Sequence, residues 1–137
     1  MPTFAAHWRG LDIDDRMNLG LFTKAEAREE HARRAKLNLA LAKFLQRKRL
    51  LKREVGTSAD SIPPAAILKA CLRWLRSRRA ELVLVNLEDL WEEQNPQNVP
   101  GTSTERPNWR RKARLTIEEI MTKPELRNAL RSLTPKV

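Results

Sequence analysis

The residues best equipped for chemistry are gathered in one polar stretch, Asn98-Val-Pro-Gly-Thr102 followed by Glu105-Arg-Pro-Asn-Trp-Arg-Arg111. Asn98, Thr102, Glu105, Asn108 and Arg110 offer hydrogen-bonding groups, Trp109 offers an aromatic face, and Pro100-Gly101 fixes a tight turn between them. That mixture suits a binding loop better than a proton-transfer site. Upstream, Asn86 and the adjacent carboxylates Glu88 and Asp89 close the apolar run Leu82–Val85. Plainer roles carry equal weight for several of these groups. Trp109 can plug a core, Asn98 and Asn108 can brace the loop through backbone hydrogen bonds, and Glu88 and Asp89 can cap a strand end. Cys71 sits on an apolar helical stripe with no His or second Cys beside it, which is the setting of a core residue.

The elements that must position this stretch read as mostly helical. Lys24–Glu54 is predicted as a long helix with Thr23 as N-cap. Its capping box reads as incomplete, with Ala27 at the acidic position and Glu26 near it, and Gly56 reads as the stop. Leu37, Ala40, Leu41, Phe44 and Leu45 form its apolar stripe. A second helix is predicted from Ser61 and Pro63-Pro64 to about Arg79, with Leu68, Cys71, Leu72 and Leu75 on one face and Ile67 and Trp74 widening it. Residues 1–22 read as irregular, anchored by Phe4, Trp8 and Ile13. Thr116-Ile-Glu-Glu119 and Thr122-Lys-Pro-Glu125 read as capping boxes opening short helices, with Leu126, Leu130 and Leu133 as a modest stripe. Leu82–Val85 is apolar on both sides of a pleat, which predicts one buried parallel-type strand over about 81–89. No second strand pattern exists to satisfy its backbone, so the expectation is a fragment whose sheet neighbours lie elsewhere. A strand preceded by helices and followed by a polar loop fits the closing portion of an α/β barrel or doubly wound sheet, where strand-end groups bind or react.

A chain of 137 residues allows one domain. No apolar run approaches the roughly 20 residues of a bilayer span, and the first residues lack a secretory pattern, so no membrane partner is expected. A single cysteine makes a reducing cytoplasm the simplest home. The net charge of +10 fits nucleic-acid binding, solvated helix faces, or a piece of a protein whose remainder balances it. Within it, Gln46-Arg-Lys-Arg-Leu-Leu-Lys-Arg53 is the best nucleic-acid candidate. It lacks exposed aromatics between its cations, so a solvated helix end is favoured there, with a small basic nucleic-acid-binding protein as the alternative function.

The loop pattern resembles the NxPGT…E.PNWRR signature of the 4-alpha-glucanotransferases, the amylomaltases of glycoside hydrolase family 77. Two further stretches agree. Leu84-Val-Asn-Leu-Glu-Asp-Leu90 is similar to the family's last barrel strand, and Pro2-Thr3-Phe4-Ala5-Ala6-His7-Trp8 with Arg9-Gly10 is similar to the segment after its preceding catalytic strand. The resemblance covers residues 1 to about 115 and implies the closing part of a (β/α)8 TIM barrel, with short helices and a tail over 116–137. It implies retaining transfer of α-1,4-glucan segments, with Asn98, Pro100, Gly101, Thr102, Glu105, Asn108, Trp109 and Arg110 as substrate-binding residues and no cofactor or metal. The family's Thr-His-Asp triplet, nucleophile and acid/base carboxylate would fall before Met1. Glu88 and Asp89, adjacent on a strand, would point to opposite faces and cannot replace a pair held roughly 5–5.5 Å apart. The isolated chain is therefore expected to be inactive.

Overall fold

A computed structural model of the chain describes residues 1–52, 55–78, 82–106 and 108–131. Among the described residues, six α-helices and one 3-10 helix make up the regular structure: α1 (Phe4–Arg9), α2 (Leu11–Asn18), α3 (Lys24–Arg47), α4 (Pro64–Arg76), the 3-10 helix Leu87–Trp91, α5 (Ile117–Thr122) and α6 (Pro124–Arg131). The segment read as irregular thus begins with two helices. Thr3 caps the first, its hydroxyl accepting from Ala6 N at 3.3 Å. Gly10, at φ 75°, ends α1 and opens α2. A Cβ there would lie 2.7 Å from His31 Cε1, so only glycine allows α3 to approach this corner.

The core gathers Trp8 from α1, Ala42 and Leu45 from α3, Leu51, Ala59 and Ile62 from the connection, and Ile67 and Ala70 from α4. Trp8 Nε1 donates to Ile62 O at 3.2 Å, so the indole is buried without losing its polar edge. Phe44 and Trp74 meet edge to face at 5.4 Å and join α3 to α4. On α3 the buried line runs Ala27, Arg34, Asn38, Ala42, Leu45, rotated from the predicted stripe, and Leu37 is exposed. Two polar residues are buried there for a definite reason. The last carbonyls of α1 have no partner within that short helix. Asn38 Nδ2 donates to Trp8 O at 2.8 Å and Arg34 to His7 O at 2.6 Å, while the Arg34 guanidinium also grips both oxygens of Asp12. α3 therefore serves as the C-terminal cap of α1.

The ends of the elements depart from the sequence reading. Glu26 is the third residue of α3, and the Thr23 capping box is complete, with Glu26 Oε2 accepting from Thr23 N at 2.8 Å. α3 stops at Arg47 rather than near Gly56. Leu50 N bonds to Leu45 O and Arg49 N to Gln46 O around a left-handed Arg49 (φ 56°), which is a Schellman turn without glycine. Residues 53 and 54, the end of the predicted helix, lie outside the described residues. On α4, Pro64, Ile67, Ala70 and Leu72 are buried, while Leu75 is exposed. The Thr116 box opening α5 is present. The Thr122 hydroxyl instead donates to Glu118 O at 2.8 Å inside the last turn of α5, and α6 starts at Pro124 without it. Leu126 is buried, while Leu133 lies outside the described residues.

The expectation of a buried parallel-type strand over about 81–89, as the closing part of a (β/α)8 barrel, is overturned. Among the described residues there is no strand and no sheet. Leu82 and Leu84 are 74% and 82% exposed. A β-ladder needs a partner backbone, and none stands beside this segment, so its apolar composition alone does not make it a strand. From Leu87 the chain closes into the 3-10 helix, with Asn86 Oδ1 accepting from Glu88 N at 3.4 Å. Residue 81 lies outside the described residues.

Candidate functional site

The predicted binding loop folds around one asparagine. Val99–Thr102 is a type II turn, with Pro100 at its second position, Gly101 at φ 88°, and Thr102 N donating to Val99 O at 3.3 Å. Asn108 locks that turn from outside. Its Oδ1 accepts from Val99 N at 2.9 Å, and its Nδ2 donates to Thr102 O at 3.1 Å. The Thr102 hydroxyl turns inward to Val99 O at 2.8 Å. Asn98 is half-buried and lines a shallow cleft of about 30 Å³ with Asp15, Arg16 and Pro100. Asn108, Thr102, Pro100 and Gly101 thus hold the loop's shape.

The same bracing sets the outward-facing groups. Trp109 N donates to Gln97 O at 2.8 Å, which pins Trp109 at φ 59°. A left-handed conformation costs a bulky residue about 1 kcal/mol or more. The indole is 74% exposed, so this aromatic is presented to solvent and does not plug a core. Arg110 and Glu105 are exposed beside it. Glu105 Oε2 accepts from Ser103 Oγ at 3.0 Å, and hydrogen bonds from backbone N–H groups and this hydroxyl hold its carboxyl below the ordinary value. Pro107 lies outside the described residues.

Glu88 and Asp89 are brought to the same helix but not into a common site. Glu88 Oε1 accepts from Arg111 at 2.8 Å and from Gln97 Nε2 at 2.9 Å. Arg111 also reaches Glu93 Oε2 at 3.2 Å and Asn95 O at 2.7 Å, so one guanidinium ties the 3-10 helix to both arms of the loop. Burial pushes the Glu93 carboxyl up, but the N–H of Asn95, the Arg111 charge and the N–H of Gln94 outweigh it and leave it below the ordinary value. Asp89 points the other way, with its Oδ1 accepting from Phe4 N at 2.7 Å at the start of α1. Burial raises the Asp89 carboxyl, the Phe4 N–H opposes that rise, and the Glu88 charge adds to it. Each carboxylate is occupied by a structural partner, and neither faces the other across a space for substrate.

Arg111, Glu93, Gln97 and the pair Arg106–Asp15 are the positioning residues that the sequence reading did not assign. The Arg106–Asp15 ion pair joins the loop to α2 beside a cleft of about 280 Å³, which Asp12, Asp14, Asn18, Gln94 and Asn95 also line. Arg106 and Arg111 were visible in the sequence. Their acidic partners lie 91 and 23 residues away, beyond the reach of any local pattern. Chemically, the loop can present an aromatic face, a cation and polar groups on a rigid turn. These groups are of the kind that bind, and neither Glu88 nor Asp89 is a disengaged acid or base.

A sequence model described as 4-alpha-glucanotransferase, glycoside hydrolase family 77, matches residues 1–116. The chain belongs to this family. The 4-alpha-glucanotransferases of Mycobacterium bovis and of two Mycobacterium tuberculosis strains are each 33% identical over 113 residues, which is 80% of this chain and 14% of theirs. The chain thus spans about one seventh of the length of the glucanotransferases it resembles. No solved structure matches it. The glucanotransferase match includes the whole braced loop and ends at Thr116, the N-cap of α5, so α5 and α6 stand outside it.

Proposed function

We propose that this chain supplies a substrate-binding wall of a 4-alpha-glucanotransferase, with its 98–110 loop contacting α-1,4-glucan through Asn98, Thr102, Glu105, Asn108, Trp109 and Arg110 about the Pro100-Gly101 turn. The observation that carries the proposal is the internal bracing by Asn108, which leaves the Trp109 indole and Arg110 turned to solvent. Sugars present C–H patches that pack on such aromatic faces and vicinal hydroxyls that match planar polar groups. Asn108 and Thr102 act in this reading mainly by holding the turn, since their polar atoms are bonded to backbone.

The chemistry of the proposed reaction is retaining transglycosylation. One carboxylate attacks the anomeric carbon, a second protonates the leaving oxygen, and a glucan hydroxyl then takes the place of water. Glu88 is held by Arg111 and Gln97, and Asp89 by Phe4 N, which supports the reading that the reacting carboxylates come from polypeptide outside this chain. Residues 1–115 form the catalytic-region part and 116–137 an appended end of short helices and tail. Among the described residues no helix is long and apolar enough to cross a membrane, and the lone Cys71 suits a reducing cytoplasm. The chain alone, incubated with maltotriose, is expected to release no glucose; measurable release would overturn this assignment of the carboxylates. In a complete enzyme containing this segment, Trp109→Ala is expected to raise KM for maltooligosaccharides about tenfold, or ~1.4 kcal/mol, with kcat little changed. An unchanged KM would remove Trp109 from the glucan surface.

A further inference from the structure

The cleft of about 280 Å³ beside the Arg106–Asp15 pair contains none of the loop's proposed glucan contacts. Its volume is near the lower end for small-ligand cavities, about 300 Å³. α2 builds one wall, because Leu11, Asp14, Asp15 and Asn18 recur at helical spacing and share a face, while Ile13 is buried in the interior. The other wall, at 94–96, is set by Glu93. Its buried carboxylate accepts from Gln94 N and Asn95 N, each at 3.0 Å, and is itself held by Arg111. The backbone at 94 and 95 is thereby fixed, and both residues line the cleft.

The charged groups of this cleft are engaged, and its carboxamides are not. Asp12 is gripped by Arg34 and Asp15 by Arg106, while Asp14 Oδ1 meets the His31 ring at 2.8 Å. Among the described residues, the side chains of Asn18, Gln94 and Asn95 form no hydrogen bond, nor does Asp14 Oδ2. All three carboxamides are exposed. A bound cation would need several disengaged carboxylate oxygens, and a bound anion a guanidinium without a carboxylate partner. The cleft offers one such oxygen, and an arginine whose charge Asp15 already meets. What stands open is three planar groups, each with donors and an acceptor at a fixed spacing, beside the apolar carbon of Leu11 and Pro96. That combination suits a neutral polyhydroxylated ring, with hydroxyls for the carboxamides and C–H faces for the apolar patches.

We propose that this cleft binds one glucosyl unit of a glucan through Asn18, Gln94, Asn95 and Asp14 Oδ2. The proposal rests on the reading of the 98–110 loop as a glucan-contacting wall, and it extends that wall to α2. Continuity comes through Asn98. It lines the smaller cleft of about 30 Å³, whose walls include Asp12, Asp15 and Pro96, and those three residues also line the larger one. A glucan in contact with Asn98 therefore has the α2 cleft beside it. The site adds a binding position and no reacting group.

The test is a two-dimensional proton–nitrogen NMR titration of the 137-residue chain with maltoheptaose, read at the side-chain amides of Asn18, Gln94 and Asn95. Saturable shifts are expected at these amides. Affinity is expected to change less than about twofold between about 50 and 200 mM salt, because a neutral ligand releases no counterions. Each neutral hydrogen bond contributes about fivefold in affinity. Asn18→Ala with Gln94→Ala should therefore weaken binding at least about tenfold at unchanged far-ultraviolet circular dichroism, and Asn95→Ala alone about threefold to fivefold. Trp109→Ala reports on the loop separately. Weaker binding in Trp109→Ala, with the Asn18 and Gln94 pair within about twofold of wild type, would overturn the cleft and leave the loop reading standing. Weaker binding in the pair with Trp109→Ala unchanged would uphold the cleft and remove Trp109 from the glucan surface. Equal shifts with glycerol at matched hydroxyl concentration would show general solvation and overturn the site. A tighter response of the same signals to calcium chloride alone, or no saturable shift at any of the three amides, would overturn it as well.

Discussion

Asn108 offers the sharpest test of how the loop is held. Its side chain makes two bonds to the backbone of the Val99–Thr102 turn, 2.9 Å from Val99 N and 3.1 Å to Thr102 O. Each such bond contributes about 1 kcal/mol net, because the opened loop regains bonds to water. Asn108→Ala should therefore lower the opening free energy of the turn by about 2 kcal/mol, which is a factor of about 30 in the opening equilibrium. Amide hydrogen exchange at Val99 reads that equilibrium directly, since Val99 is buried and its N–H is bonded to Asn108. The expected result is exchange about 30-fold faster at Val99, with amides in the middle of α3 unchanged. Asn108→Asp keeps the acceptor and loses the donor, so it should fall near fivefold. A Val99 rate within threefold of wild type in Asn108→Ala would refute the claim that this side chain braces the loop.

Other perturbations follow from the same geometry. Gly10→Ala combines φ 75° with a Cβ 2.7 Å from the His31 ring and should cost about 1–3 kcal/mol, read as a lower thermal midpoint by circular dichroism; an unchanged midpoint would mean α3 does not close on this corner. Arg34→Met strands Asp12 and removes a donor from His7 O, and should destabilise by about 2–4 kcal/mol in urea. Adding Asp12→Asn should recover part of that loss, and strict additivity would argue against the pair. Asp89 has a raised folded pKa, so the native state holds its proton more tightly than the unfolded chain. Its contribution to stability is present at low pH and is lost as pH rises through the folded value. Asp89→Asn, which retains an acceptor for Phe4 N, should raise stability at neutral pH and leave it unchanged at acid pH. Glu93 has the opposite sign. Its stabilisation is present above the unfolded carboxyl value and is lost as pH falls through its depressed folded one, so Glu93→Gln should flatten the acid limb of a urea-stability profile.

The sequence revealed the parts of this structure that local chemistry determines. α3, α4 and the short helices near the C-terminus were legible from apolar spacing and from residues such as Thr116. The Pro100-Gly101 turn was legible because few residues accept φ 88°. The family was legible in the loop motif. Three things were not. The apolar run Leu82–Val85 carries strand composition, but a strand is a relation between two backbones, and no partner strand exists among the described residues. The stop of α3 was misplaced because Arg49 takes the left-handed position usually filled by glycine. Arg34 and Asn38 lie outside the predicted apolar stripe of α3, yet their buried positions are set by the carbonyls of a helix some 30 residues earlier. Within the candidate site, the turn residues declared themselves by type, whereas the partners of Glu88 and Asp89 are fixed only by tertiary folding.

The bond from Phe4 N to Asp89 spans 85 residues, and it has a consequence for synthesis. α1 has six residues, too few to persist alone in water, and two of the contacts that hold it come from Ile62 and Asp89. At roughly 5–20 residues per second, the ribosome delivers Asp89 about 4–17 s after Phe4. For that interval Phe4 and Trp8 emerge without their clamp, a hydrophobic pair exposed beside a nascent basic helix. α1 is thus among the last of the described helices to settle, and a chaperone that recognises short apolar segments would meet the nascent polypeptide at this helix.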